Sequence, residues 1–205
     1  AIPEPIYFPL AASIPEAIWF LLPAEDGAIA LEEKACPFPT DGMDALLIGP
    51  GLGQKEETKA FMLSLLEHIR EHTPDLPLVV DADALNILSQ QPDWRNLLPR
   101  HAVLTPHEME FSRLSGLSIE EISLNRLKLA VTYSRAWGQT LILKGANTLV
   151  ASPDGGCRVL PFANSVLAHG GTGDVLAGLI VGLLAQGLSP FDAASLAVWL
   201  HACAA

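Results

Sequence analysis

The stretch Leu78-Val79-Val80-Asp81-Ala82-Asp83-Ala84-Leu85-Asn86 runs from an unbroken apolar triplet into two carboxylates and on into residues that favour a helix. A strand with one wet face alternates apolar and polar residues, whereas a continuous apolar run belongs to a strand buried on both faces. The segment predicts a buried strand over Leu78–Asp81 and a short helix over Ala84–Ser89. The same order recurs on either side. Upstream, Ala45–Ile48 is a short buried strand that turns at Gly49-Pro50-Gly51-Leu52-Gly53. Lys55–His72 then carries Phe61, Leu65, Leu66 and Ile69 at helical spacing until Pro74 and Pro77 end it. Downstream, Ala102–Thr105 is a third strand, with Pro106 placed to begin a helix. Ser118–Trp137 is a long amphipathic helix closed by Gly138, and Thr140–Lys144 is a fourth strand. Leu149–Ser152 and Arg158–Phe162 flank Pro153-Asp154-Gly155-Gly156 as a hairpin. Gly170-Gly171-Thr172-Gly173-Asp174 opens a helix that runs to about Gln186, and another follows Pro190. Short apolar strands alternating with helices give βαβ units, hence an α/β domain whose mostly parallel sheet is covered by helices on both faces. From Ala1 to Asp41 prolines are dense, and the apolar runs Ile6–Leu10 and Ala17–Leu22 are the expected strands.

Composition narrows the function classes. A chain of 205 residues and 21.9 kDa suits one domain. With 50% hydrophobic and 17% charged residues and a mean hydropathy of +0.33, it can bury a large core and is too apolar to be disordered. Twelve Lys and Arg against 23 Asp and Glu leave a net charge of -11, which builds no basic face for a nucleic acid. The apolar runs Val175–Ala185 and Leu196–Leu200 are too short to span a membrane, and no signal pattern opens the chain. Cys36, Cys157 and Cys203 are widely spaced and form no CxxC pair, which fits a reducing cytoplasm and excludes a disulfide scaffold or a zinc ribbon. Residue 1 is Ala and the last helix stops without a cap, so a polypeptide trimmed at its ends is expected.

Ligands of open α/β sheets bind at the carboxyl ends of the strands, and five groups fall at such ends here. The most informative is Gly170-Gly171-Thr172-Gly173-Asp174. Its glycines let backbone amides approach an anion, and the following helix presents its positive end. It lacks the Lys-Ser/Thr pair of a P-loop, so it is a different anion cradle. A carboxylate beside an anion hole is what phosphoryl transfer to a hydroxyl needs, although a capping Asp after a Gly turn gives the same string. The second group, Gly49–Gly53, is not the dinucleotide fingerprint, because Gln54 stands where the third Gly would fall. Asp81 and Asp83 suit a magnesium ion or a ribose, or a solvated turn. His107 lies at a strand end with Glu110 one helical turn on. Lys144-Gly145-Ala146-Asn147-Thr148 suits a nucleotide phosphate or ribose, or a β-turn. One pattern is a decoy: His68-Ile69-Arg70-Glu71-His72 matches the HxxEH of some zinc proteases but sits at the far end of its helix, before a Pro-rich turn, and reads better as a solvated helix end. None of the cysteines has His or acidic neighbours that would make it a nucleophile.

In combination and order, Gly49–Gly53, Asp81–Asn86, Leu104–Glu110, Leu143–Thr148 and Gly170–Gly178 resemble the ADP-dependent NAD(P)H-hydrate dehydratases of the ribokinase-like superfamily. The resemblance covers Ala45 to the C-terminus. It implies a ribokinase-like three-layer sandwich and the repair of NADH and NADPH hydrated on the nicotinamide ring. ADP, or ATP, phosphorylates the ring hydroxyl, and phosphate then leaves. It further implies that Asp174 acts as base and contacts the hydrate, and that Gly51, Gly53 and His107 line the hydrate site. Lys144, Gly145, Ala146, Asn147, Thr148 and Gly173 would hold the adenine nucleotide, with Gly170, Gly171, Thr172 and Gly173 as anion hole. Glu110 would organise Mg2+ through water. Members are typically cytoplasmic homo-oligomers, and bacterial ones are often fused to an epimerase domain. Within 1–205 the family's first strand with its Gly-rich helix, and its C-terminal end, are not found. Two other readings compete. Vitamin-precursor kinases of the superfamily usually place Cys where Asp174 stands, and its sugar kinases lack the Thr-Pro-His and Lys-Gly-Ala-x-Thr segments. An inactive nucleotide-binding relative would not need Asp174.

Overall fold

The computed structural model describes residues 1–26, 28–29 and 40–205, so Cys36 lies outside the described residues. Six strands form the central sheet: β5 (Leu46–Ile48), β6 (Leu78–Val80), β7 (Ala102–Leu104), β8 (Thr140–Leu143), β9 (Thr148–Ala151) and β10 (Cys157–Leu160). Their spatial order is β10-β9-β8-β7-β6-β5. The pairs from β5 to β8 are parallel, with Leu46 opposite Leu78, Val79 opposite Val103 and Leu104 opposite Leu141. The hairpin β9–β10 adds two antiparallel pairings beyond β8.

The continuous apolar strands are buried on both sides, and their alternate residues feed two cores. Leu78, Val80, Leu104, Leu141 and Leu143 face one layer of helices: α2 (Glu56–His72), α3 (Asp83–Leu88), α4 (Glu108–Ser115) and α5 (Ile119–Trp137). Val79, Val103, Ile142 and Val150 face the other, α6 (Thr172–Ala185) and α7 (Pro190–Cys203). α2 contributes Phe61, Met62, Leu65, Leu66 and Ile69, all buried, as its periodicity requires. α4 and α5 each begin with a capping box, His107 with Glu110 and Ser118 with Glu121, and each ends on a left-handed glycine, Gly116 and Gly138. The result is a three-layer α/β sandwich.

Ahead of the sheet lie four two-residue strands, β1 (Ile2–Pro3), β2 (Leu21–Leu22), β3 (Ala24–Glu25) and β4 (Ala28–Ile29), and a short helix, α1 (Tyr7–Ala11). The strand expected over Ile6–Leu10 is thus helical, and of Ala17–Leu22 only Leu21–Leu22 pairs, with Ile2–Pro3. Pro5 and Pro9 explain the first difference. Neither has an amide to give a ladder, and both fall in first turns of a 3-10 helix and of α1, where that amide has no partner anyway. Pro106 also differs from expectation: it precedes the cap, and His107, not the proline, is the N-cap of α4.

Candidate active site

The turn out of β5 is held against the end of β6. Gly49 has φ +127°, and a Cβ there would stand 1.8 Å from the Asp81 carbonyl oxygen, so only glycine fits. Farther along the turn, the Gly53 N–H donates to Asp83 Oδ2 at 2.9 Å and Gln54 Nε2 to Oδ1 at 3.0 Å. Asp83 therefore clamps the glycine turn, instead of offering both oxygens to a metal or ribose. Gly51 and Gly53 themselves are exposed, with open space above them. Ala82, between the two aspartates, has φ +51°, a strained value for a residue with a side chain.

Behind the turn lies a charged centre drawn from the ends of β6 and β8 and the first turn of α4. Lys144 Nζ donates to Asp81 Oδ1 at 2.8 Å and sits 3.8 Å from Glu110 Oε2. Asp81 and Glu110 are both buried, 1% and 5% exposed. Burial pushes the Glu110 carboxyl above its usual range, opposed chiefly by the Lys144 ammonium and by the His107 amide. That amide donates to Glu110 Oε2 at 2.8 Å. His107 Nδ1 accepts from the Met109 and Glu110 amides, which puts the ring proton on Nε2, 3.4 Å from Glu110 Oε1. The outer part of the imidazole is exposed, just past the carboxyl end of β7.

The loop from Lys144 to Thr148 forms one wall of a cavity of about 440 Å³. Leu160, Phe162, Leu167, Leu176 and Val198 make its apolar lining, and Lys144, Asn164 and His201 its polar points. Burial pulls the His201 imidazole below its usual value. The loop is kept open by left-handed Asn147, φ +55°, whose amide donates to Phe162 O at 3.0 Å, and by Thr148 Oγ1 donating to Gly145 O at 2.9 Å. Phe162, Val198 and His201 were not expected from sequence. A helix and a loop bring them in, and no motif marks them.

α6 begins at the edge of this cavity, with Thr172, Gly173 and Leu176 in its lining. Gly171 takes φ +89° as its cap, and the Thr172 hydroxyl engages the carbonyls of Leu167 (2.8 Å) and His169 (2.9 Å), closing the loop onto the helix. That hydroxyl is thus occupied, and the Thr172 amide donates to His169 O at 3.4 Å, so Thr172 does not serve the expected anion hole and the cradle's free donors are the amides of its glycines. A Cβ at Gly173 would stand 3.7 Å from Lys144 Nζ and 3.9 Å from Asp81 Oδ2, which sets the helix start directly against the charged centre. Asp174 is exposed, and among the described residues its carboxylate has no hydrogen-bond or ion-pair partner.

Other sequence candidates lie elsewhere. His68 and His72 stack at 4.3 Å in the last turns of α2, which ends where β6 begins, at the opposite edge of the sheet. Burial raises the Cys157 thiol, the wrong direction for a nucleophile. No helix among the described residues is long and apolar enough to cross a membrane.

Chemically, the arrangement offers an apolar cavity with a lysine at its edge, a helix N-terminus that carries an unpartnered carboxylate, and, at other strand ends, exposed glycines and a histidine. A phosphorylated ligand and a hydroxyl compound could meet there. The comparisons with known proteins agree. The Carb_kinase family model, described as NAD(P)H-hydrate dehydratase, matches residues 9–205. Over 164 residues the chain is 44% identical to the bifunctional NAD(P)H-hydrate repair enzyme Nnr of Moorella thermoacetica, covering 79% of this chain and 30% of that protein. Over 165 residues it is 42% identical to the ADP-dependent (S)-NAD(P)H-hydrate dehydratase of Neisseria meningitidis, covering 80% and 54%. The chain thus spans about a third to a half of the length of these relatives. Among solved structures, the ADP/ATP-dependent NAD(P)H-hydrate dehydratase of Bacillus subtilis, co-crystallized with ATP/Mg2+, superposes with a TM-score of 0.76 at 32% identity, covering 98% of this chain and 66% of that one.

Proposed function

Since the chain belongs to the NAD(P)H-hydrate dehydratase family, whose model matches nearly its whole length, we propose that it supplies the nucleotide-dependent dehydration of hydrated NADH and NADPH, a hydro-lyase reaction that repairs the cofactor. The observation that carries the reading is the free Asp174 carboxylate at the start of α6, directly after Gly173, the residue that approaches Lys144. The adenine nucleotide, ADP in preference to ATP, lies in the cavity with its base among Phe162, Leu176 and Val198. Its phosphates reach the loop Lys144-Gly145-Ala146-Asn147-Thr148 and Gly173. The hydrated nicotinamide lies on the other side of α6's N-terminus, over Gly51, Gly53 and His107.

Asp174 takes the proton from the ring hydroxyl as its oxygen attacks the terminal phosphorus, and the bond to AMP breaks. The amides of Gly170, Gly171 and Gly173 and the end of α6 hold the charge that develops on the transferring group. The C–O bond of the phosphate ester then breaks and phosphate leaves with the added oxygen, the adjacent ring carbon gives up its added proton to solvent, and the C=C bond of the nicotinamide ring of NADH is restored. Mg2+ fits this site: Asp81 and Glu110 are two buried carboxylates facing the single ammonium of Lys144, and Asp81 Oδ2 is turned toward Gly173. Asp81 directly and Glu110 through water would hold it, and it would neutralise charge on the phosphates. We place the enzyme in the cytoplasm as a homo-oligomer. The half-exposed Trp199, with Leu196 and Leu200 on α7, supports contacts between copies. Its partners are the two hydrates, NADHX and NADPHX, and the adenine nucleotide; an epimerase domain, where one is fused as the name of the bifunctional Moorella relative suggests, would lie outside these residues.

The test is turnover of hydrated NADH with magnesium and either ADP or ATP, set beside a hydroxyethylthiazole, a hydroxymethylpyrimidine and a sugar as phosphoryl acceptors. Nucleotide-dependent recovery of NADH supports the reading. Consumption of nucleotide with one of the other acceptors alone overturns it.

A further inference from the structure

The helix α5 is broken at Asn125, whose φ of -133° and ψ of 24° are not helical, and the break aims the next side chain, Arg126, at the back of the loop that walls the cavity. The guanidinium collects three carbonyl oxygens from it. Nη1 donates to Ala146 O at 2.6 Å, and Nη2 donates to Lys144 O at 3.1 Å and to Leu143 O at 3.3 Å. Nε lies 3.1 Å from Glu108 Oε1, an ion pair whose geometry is off the hydrogen-bond line and leaves that buried nitrogen without an aligned acceptor. The side chain is 19% exposed, so these contacts are largely shielded from water. Gly145 has φ +142°, and a Cβ there would stand 2.7 Å from Arg126 Nη2, so the glycine is also what lets the guanidinium lie flat against the loop.

The two ends of a trans peptide point in opposite directions. With the Lys144 carbonyl turned onto Arg126, the Gly145 N–H of the same peptide points away from it. The other two peptides that Arg126 holds have their amides engaged: Lys144 N donates to Pro106 O at 2.9 Å and Asn147 N to Phe162 O at 3.0 Å. The Gly145 N–H has no protein acceptor among the described residues, and Gly145 lines the cavity. We propose that Arg126 is a positioning residue of the nucleotide site. From behind the loop it fixes the carbonyls of Leu143, Lys144 and Ala146, and so presents the Gly145 amide, backed by its own positive charge, to a phosphate of the nucleotide. Through Glu108, in the first turn of α4, it ties that loop to the helix carrying Glu110. The inference rests on the nucleotide-dependent reading given above.

The experiment measures MgADP and MgATP binding by calorimetry, and KM and kcat for nucleotide and hydrate separately, on the full chain and on Arg126→Lys, Arg126→Ala and Glu108→Gln. A lysine can reach one or two carbonyls but cannot bridge all three. Arg126→Ala is expected to weaken nucleotide binding at least tenfold and Arg126→Lys less. KM for nucleotide should rise while KM for the hydrate stays within about twofold. Added guanidinium ion at constant ionic strength should restore part of the Arg126→Ala loss by entering the vacated slot, which general destabilisation would not allow. Glu108→Gln covers the case in which Arg126→Ala does not fold, and should weaken nucleotide binding a few-fold at an unchanged melting temperature. If the unaltered chain binds nucleotide and the Arg126→Lys and Glu108→Gln variants bind it equally well, the inference is wrong while the functional reading stands. If the unaltered chain binds no nucleotide, the functional reading fails and the inference with it.

Discussion

Two glycines separate close packing from conformation alone. A Cβ at position 49 would stand 1.8 Å from the Asp81 carbonyl oxygen, whereas at Gly42, φ +80°, it would meet nothing within 4 Å. Gly42→Ala is therefore expected to cost about 1 kcal/mol, the price of a positive φ. Gly49→Ala must move the ends of β5 and β6 and should cost roughly 3 kcal/mol or more, as strained or overpacked sites do. Denaturant unfolding of the two variants measures the difference, and equal losses would mean that the close approach at Gly49 is not a constraint. Asp174→Asn tests chemistry in place of packing: nucleotide binding should stay within about twofold while turnover falls by about 10²–10⁴, the usual worth of a positioned base. A mutant that kept most of its rate would remove Asp174 from that role. That Asp174 stands at a helix start was legible from sequence, because a Gly-rich turn ahead of an apolar run marks one. The pairing of Asp81 with Lys144 was not: 63 residues separate them, and each reads only as a strand end until the sheet sets the strands side by side.

At the level of elements, α4 shows how one turn of helix can serve structure and site together. His107 caps it with Nδ1 and leaves the rest of the ring exposed, while Glu110 closes the box from inside. His107→Ala should cost about 1 kcal/mol through the lost cap, and His107→Asn should keep most of that stability, since Asn is a good N-cap. Loss of hydrate affinity in both variants would separate the ring's contact with substrate from its capping role; retention in His107→Asn would assign the ring to capping alone. Glu110 adds a pH dependence. Its carboxyl is raised from the ordinary 4.5 mainly by burial, so the unfolded chain gives up this proton more readily than the folded one. The stability linked to it is fully present below about pH 4.5 and declines as pH rises through the shifted value. Melting temperatures across that range should lose this component in Glu110→Gln, and an unchanged profile would mean that Glu110 titrates normally. The periodicity of α2 and the caps of α5 were readable because they depend on neighbours three or four residues away. The break at Asn125 was not, since it is stabilised by what Arg126 finds on a different part of the chain.

Across the whole molecule, the order of strands and helices was legible because doubly buried strands leave unbroken apolar runs, and the carboxyl edge followed as the place for a site. The cavity was not legible: its walls come from the β8–β9 loop, the end of β10 and the segment after it, the start of α6 and the last turns of α7. No pattern in Phe162, Val198 or His201 announces that they meet. The same three-layer frame puts the start of α6 at the cavity and against Lys144 and Asp81, and it is there that the proposed function sets the nucleotide. The most direct test is the stoichiometry of a single reaction. Hydrated NADH, magnesium and ADP are incubated with the chain, the reaction is quenched at intervals, and NADH, AMP and inorganic phosphate are quantified together. The three are expected to appear in equal amounts, with none formed when nucleotide is omitted. NADH restored without AMP, or AMP released without NADH, would contradict the coupling of phosphoryl transfer to dehydration on which the account rests.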